Sequence, residues 1–227
     1  MKTMKKLILL GLLMCALMSA PAVANINLPP GQDNTYQEWT FNTKPASMTD
    51  IEADVDQNPY DGTPTADVVL TGFRPVPGWY PQGDNSGGHP GIIYGDTITI
   101  DLDIPNFERP PPWYKIIQVE VTYHVNPYVP GGNGYMDASS YVTAGGNNYG
   151  SVPGSVKDED LGGGWRDVTI EWRIPQYSAE VIRLHFVDSG VAIDRIVAAT
   201  VCIPEPATLL LLGGAGLVGW LRRRRTL

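Results

Sequence analysis

From Ile116 to Val125 the chain alternates strictly. Ile117, Val119, Val121, Tyr123 and Val125 fall on one side, and Gln118, Glu120, Thr122 and His124 on the other. A period of two is the signature of a strand with one buried and one wetted face, and a helix cannot reproduce it. The same alternation runs from Asp96 to Ile104, where Ile98, Ile100, Leu102 and Ile104 oppose Thr97, Thr99, Asp101 and Asp103. From Asp167 to Ile174, Val168, Ile170, Trp172 and Ile174 oppose Thr169, Glu171 and Arg173. From Glu180 to Asp188, Ile182, Leu184 and Phe186 turn inward and Arg183 and His185 outward, which places Glu171 and Arg183 to pair across neighbouring strands. The alternation slips by one residue in the segment from Val191 to Val201, predicting a bulge near Asp194 or Arg195.

Weaker strands fall from Tyr36 to Thr43, Thr65 to Gly72 and Met136 to Thr143. Glycine and proline, 25 and 20 in number, separate these runs, and the stretches from Trp79 to Gly91 and Asn126 to Gly134 read as long loops. No helical period is sustained between residues 25 and 203. The expected fold is all-β, a two-layer antiparallel β-sandwich of jelly-roll type.

Both ends of the chain differ from this domain. Lys2, Lys5 and Lys6 precede an apolar core from Leu7 to Met18, and Ala22-Val23-Ala24 supplies small residues for signal peptidase. Residues 1–24 are thus expected to be a signal peptide read by the general secretion machinery, with cleavage before Asn25. Cys15 lies inside the apolar core behind Met14, a poor setting for lipidation.

At the other end, Pro204-Glu205-Pro206 leads into an apolar run from Ala207 to Leu221, closed by Arg222, Arg223, Arg224 and Arg225. Four guanidinium groups stop transfer across a bilayer, so the run is expected to form one C-terminal transmembrane helix. It is short against the roughly 20 residues of a comfortable span. The three parts in this order resemble the PEP-CTERM protein-sorting signal of Gram-negative bacteria, over about residues 204 to 225. That resemblance implies an exosortase as partner, a membrane-embedded cysteine transpeptidase that cuts near the motif and passes the protein to the cell surface or extracellular matrix. An ordinary membrane anchor is the alternative. No Leu-Pro-x-Thr-Gly motif is present to suggest a sortase.

The domain boundaries follow: signal peptide 1–24, sandwich 25–203, sorting signal 204–227. Without its two ends the chain keeps 9 of its 16 lysines and arginines and 23 of its 24 acids, so the net charge moves from −8 to −14. Such a field repels phosphate backbones, which argues against nucleic acid as a partner, and it favours divalent cations. Once Cys15 leaves, Cys202 is the remaining thiol, so no internal disulfide is expected.

Two candidate sites follow from residue type. Asp50, Glu52, Asp54, Asp56 and Asp61 are closely spaced carboxylates of the kind that hold structural calcium, although Pro59 and Thr65 break the EF-hand pattern. The alternative is a solvated strand edge. Trp79 and Tyr80, with Asp84 and Asn85 behind them, and Trp113 and Tyr114 after Pro110-Pro111-Pro112, have the chemistry to stack on sugar rings. The alternative is that these rings plug the core. The stretch from Trp165 to Val201 is similar to the last strands of galactose-binding-like jelly rolls in carbohydrate-binding modules.

His89, His124 and His185 are too scattered for a zinc site, and neither a nucleophile elbow nor a phosphate loop occurs. The reading is therefore an exported, non-enzymatic surface or matrix protein that passes through an inner-membrane intermediate, with exopolysaccharide as the expected ligand. A secreted polysaccharide hydrolase and a purely structural surface protein are the alternatives.

Overall fold

The computed structural model describes residues 34–57, 62–72, 77–81, 91–105, 113–125, 134–137, 139–174, 180–187 and 190–204. The signal-peptide residues Ala22 and Ala24, Asp61, Asp84, Asn85, His89, Glu205, Pro206 and Arg222 to Arg225 lie outside them.

Two antiparallel sheets face each other. The first carries β1 (Asn34–Trp39), β3 (Val55–Asp56), β5 (Gly78–Pro81), β6 (Gly91–Gly95), β8 (Trp113–Val125), β12 (Lys157–Gly162), β13 (Trp165–Ile174) and β15 (Val191–Pro204). Its order is β12-β13-β8-β15-β1-β3, and the β5–β6 hairpin joins through β6 on β15. The second carries β2 (Ile51–Glu52), β4 (Thr65–Thr71), β7 (Thr97–Ile104), β9 (Tyr135–Met136), β10 (Tyr141–Ala144), β11 (Asn147–Gly150) and β14 (Glu180–Val187). Its order is β11-β10-β14-β7-β4-β2, with β9 also beside β14.

The period-two segments bury the expected faces. Ile98, Ile100, Leu102 and Ile104 of β7 and Ile182, Leu184 and Phe186 of β14 meet Ile117, Val119, Val121 and Tyr123 of β8 and Trp172 of β13 in one core. The Tyr123 and Phe186 rings pack edge to face, with centroids 5.6 Å apart. A smaller cluster of Ile92, Tyr94, Trp165 and Ala192 lies on the other side of the first sheet, as the opposite parity of its core neighbours Ile93 and Ile193 requires. At the end of the sandwich where β8 and β14 begin, Lys115 and Glu180 tie the sheets by a fully buried ion pair, 2.6 Å between Nζ and Oε2.

The bulge is where the alternation slips. Ile193 faces Tyr123 and Arg195 faces Thr122, so Asp194 is the inserted residue.

Four expectations are corrected. Strands β13 and β14 are consecutive in sequence but sit in different sheets, so Glu171 and Arg183 do not pair. Arg173 donates to Glu171 at 3.0 Å, and Arg183 donates to Asp101 of β7, Nε to Oδ1 at 2.7 Å. The strand expected from Met136 to Thr143 is divided into β9 and β10, because the Asp137 carbonyl accepts from both the N–H and the Oγ of Ser140 and turns the chain. The loop expected from Trp79 to Gly91 begins and ends in the paired strands β5 and β6, Trp79 opposite Ile93 and Pro81 opposite Gly91. Strand β15 does not stop at Val201: it stays paired with β8 until Pro204 lies opposite Trp113.

Candidate functional site

Strand β15 runs between β1 and β8, and after the bulge it turns Arg195, Val197 and Ala199 toward the outer face of the first sheet. The register sets Val197 between Glu38 of β1 and Glu120 of β8, and Ala199 between Tyr36 and Gln118. Small side chains on the middle strand thus form a floor between longer polar ones. The inserted residue re-aims Arg195 over this floor, a use of bulges common beside functional sites.

Arg195 bridges both flanking strands. Its Nε donates to Glu38 Oε1 at 2.7 Å and its Nη1 to Glu120 Oε1 at 2.9 Å. The Tyr36 hydroxyl donates to Glu38 Oε2 at 2.9 Å, and Thr122 Oγ1 donates to Asp167 Oδ1 at 3.1 Å on the next strand out. All of these groups are half-buried; the Arg195, Glu38 and Glu120 side chains keep 33, 18 and 23 % of their surface.

The two glutamates on this one guanidinium titrate in opposite directions. Burial pushes Glu38 up, but hydrogen bonds from Arg195 and Tyr36 outweigh it and hold the carboxyl below its ordinary 4.5. Burial raises Glu120, the Asp167 charge adds to the rise, and Arg195 offsets only part of it. Burial also raises Asp167. The face therefore combines acceptors, a fixed cation and a phenol within hydrogen-bond reach of one another, which suits recognition of hydroxyl-rich molecules. Residues 34 to 38, 118 to 122 and 195 are far apart in sequence, so only strand register brings them together.

The aromatic candidates separate. The Trp79 indole N–H donates to the Phe41 carbonyl at 2.8 Å, and its ring packs on the main core. Tyr80 packs on the smaller cluster, with its ring edge to face on Tyr94 at 6.1 Å. Tyr114 is half-buried and shares the outer parity of Gln118 and Glu120 in β8. Trp113 is placed only by its backbone, at the start of that strand.

The acidic run crosses from one sheet to the other. Ile51–Glu52 pairs with β4 in the second sheet and Val55–Asp56 with β1 in the first. Asp50 stands at φ 54° with its N–H on Asp67 Oδ1 at 2.8 Å. Asp54 Oδ2 accepts from the Thr40 N–H at 2.6 Å and the Thr40 hydroxyl at 2.8 Å. The change of sheet separates Glu52 from Asp56, and among the described residues no three His, Cys, Asp or Glu side chains converge as for a metal ion.

The end of β15 bears on the chain's fate. Its last residues continue the sheet directly into the Pro-Glu-Pro sequence, with Cys202, Ile203 and Pro204 opposite Lys115, Tyr114 and Trp113. Residues 203–225 match the family model of the PEP-CTERM protein-sorting motif.

The chain carries a PEP-CTERM sorting signal.

The matched span holds the Pro-Glu-Pro sequence, the apolar run and the arginines in order. The PEP-CTERM signal implies exosortase processing, hence export and a membrane-associated stage before surface display. Among the described residues no helix is long and apolar enough to cross a membrane; the apolar run from Ala207 lies outside them. The comparison with curated proteins found no match.

Proposed function

We propose that this is an exosortase-sorted surface or matrix protein whose sandwich retains exopolysaccharide, with no catalytic step of its own. The PEP-CTERM match carries the sorting half of this reading. The glycan half rests on the outer face of the first sheet, where Tyr36, Glu38, Glu120 and Arg195 surround the Val197–Ala199 floor and Tyr114 extends the same side. Carboxylates and a guanidinium fixed on neighbouring strands present hydrogen-bond partners to sugar hydroxyls at set spacing, and a tyrosine ring offers a flat surface for their C–H faces. The net charge of −14 between the two end segments disfavours densely anionic polymers and points to neutral glycans.

The oppositely shifted glutamates give a second reading, since such pairs also serve glycoside hydrolysis as acid and base. Against it, Arg195 already engages both carboxylates, Nε on Glu38 and Nη1 on Glu120. Affinity electrophoresis of the sandwich in gels cast with the host's surface polysaccharides, with reducing ends assayed in parallel, separates the two. Retardation without new reducing ends supports binding. New reducing ends that disappear in Glu120→Gln support hydrolysis.

A further inference from the structure

The matched signal begins at residue 203, yet β15 remains in the sheet through Pro204, so signal and fold overlap. That overlap limits where the chain can be cut. Residues 196–201 of β15 are paired with β1 on one side and β8 on the other, and the β8 pairing continues through Cys202, Ile203 and Pro204. A transpeptidase needs its substrate in a cleft with backbone groups available, and a strand inside a sheet, although extended, has those groups engaged by its neighbours. Withdrawing Ile196 to Val201 would also pull Ile196 and Ala198 out of the main core. The spacing to the membrane is equally tight. From Pro204 to the first residue of the apolar run, Ala207, are three Cα steps, at most about 11 Å of extended chain.

We infer that exosortase acts on the folded sandwich, with the end that carries Trp113 and Pro204 held against the bilayer, and cuts on the C-terminal side of Pro204. This rests on the sorting reading above. In chemical terms, the enzyme's thiolate attacks the carbonyl carbon of Pro204 or of a residue beyond it. The peptide C–N bond breaks, and the departing amine takes a proton and leaves with the arginine-bearing segment. The resulting thioester passes its acyl group to an amine acceptor or to water and returns the thiol. The mature protein keeps all of β15, and its new C-terminus emerges at the end of the sandwich beside the start of β8.

A spacer used as a mass tag tests this. Gly-Ser-Gly-Ser is inserted between Pro204 and Glu205 of the full chain, which is expressed in the native host with its exosortase. The intact mass of protein released from the membrane is then compared with that of the unmodified chain, and matching melting curves confirm that β15 is undisturbed. Released protein that ends at Pro204 in the unmodified chain, or that retains spacer residues in the variant, is the expected result. A product ending at or before Ile203 overturns the inference while leaving sorting intact. A chain that stays in the membrane with Arg222 to Arg225 attached overturns the sorting reading, and this inference with it.

Discussion

Lys115 Nζ lies 2.6 Å from Glu180 Oε2, with 1 and 0 % of the two side chains exposed, and the contact joins β8 of one sheet to β14 of the other. Each charge is tolerated there because of the other. Removing one partner leaves an uncompensated charge out of water, at about 3–5 kcal/mol, whereas replacing both by apolar side chains of similar volume is often neutral. Lys115→Met and Glu180→Leu are each expected to lower unfolding stability by about that amount, and the double variant to recover most of it. Chemical denaturation of the four proteins measures this as a double-mutant cycle.

Acid is expected to stabilise the sandwich before it destabilises it. Burial raises the carboxyls of Glu120, Asp167 and Asp103, so each binds its proton more tightly folded than unfolded. Their contribution is fully present below the unfolded values, ordinarily 4.5 for Glu and 3.8 for Asp, and is lost as pH rises through the higher folded ones. Glu38 has the opposite sign: its contribution is present above 4.5 and disappears as pH falls through its depressed folded value. Melting temperature should therefore climb as pH drops from neutral toward the ordinary Glu and Asp values of 4.5 and 3.8, with the opposing loss of the Glu38 contribution setting in only below 4.5. Glu120→Gln should flatten the climb.

Arg195→Met should separate recognition from folding. The Arg195 side chain keeps a third of its surface in water, so its loss is expected to cost only about 1 kcal/mol of stability. Glycan retention in affinity gels should disappear, because Glu38 and Glu120 then repel each other and lose their common anchor. Retention unchanged in this variant would move the binding face elsewhere.

Trp79 tests the other aromatic reading. Trp79→Phe keeps a ring but loses the bond to the Phe41 carbonyl, a change of about 1 kcal/mol. Gly91→Ala should also destabilise, since a Cβ at that position would run into the same carbonyl and the Trp79 indole. If Trp79 serves the core, both variants melt earlier with unchanged glycan retention. Retention lost at an unchanged melting temperature would make Trp79 a sugar contact.

The parts legible in the sequence are those where one face is dry. Strands β7, β8, β13 and β14 show themselves by alternation, and the slip at Ile193-Asp194-Arg195 marks the bulge within a residue. Strand β12, Lys157–Gly162, is exposed at every position, so no apolar period reveals it. The sheet assignment of neighbouring strands is equally silent, which is why Arg183 is bonded to Asp101 and not to Glu171. The Glu38–Arg195–Glu120 face illustrates the same limit, since its members are 157 and 75 residues apart. Twenty-three acids precede Glu205, and local spacing points to those from Asp50 to Asp61, among which the change of sheet puts Glu52 and Asp56 on different sheets.

The exposed strand β12 has a meaning at high density. Among the described residues it forms one edge of the first sheet, and it carries Lys157, Asp158, Glu159 and Asp160 in succession. An open edge is a template on which the next molecule's strand can grow. Proteins gathered along one envelope meet edge to edge far more often than proteins in dilute solution. The three successive acids Asp158, Glu159 and Asp160 there make neighbours repel, so a crowded coat of this protein can remain an array of separate molecules and not become a fibre.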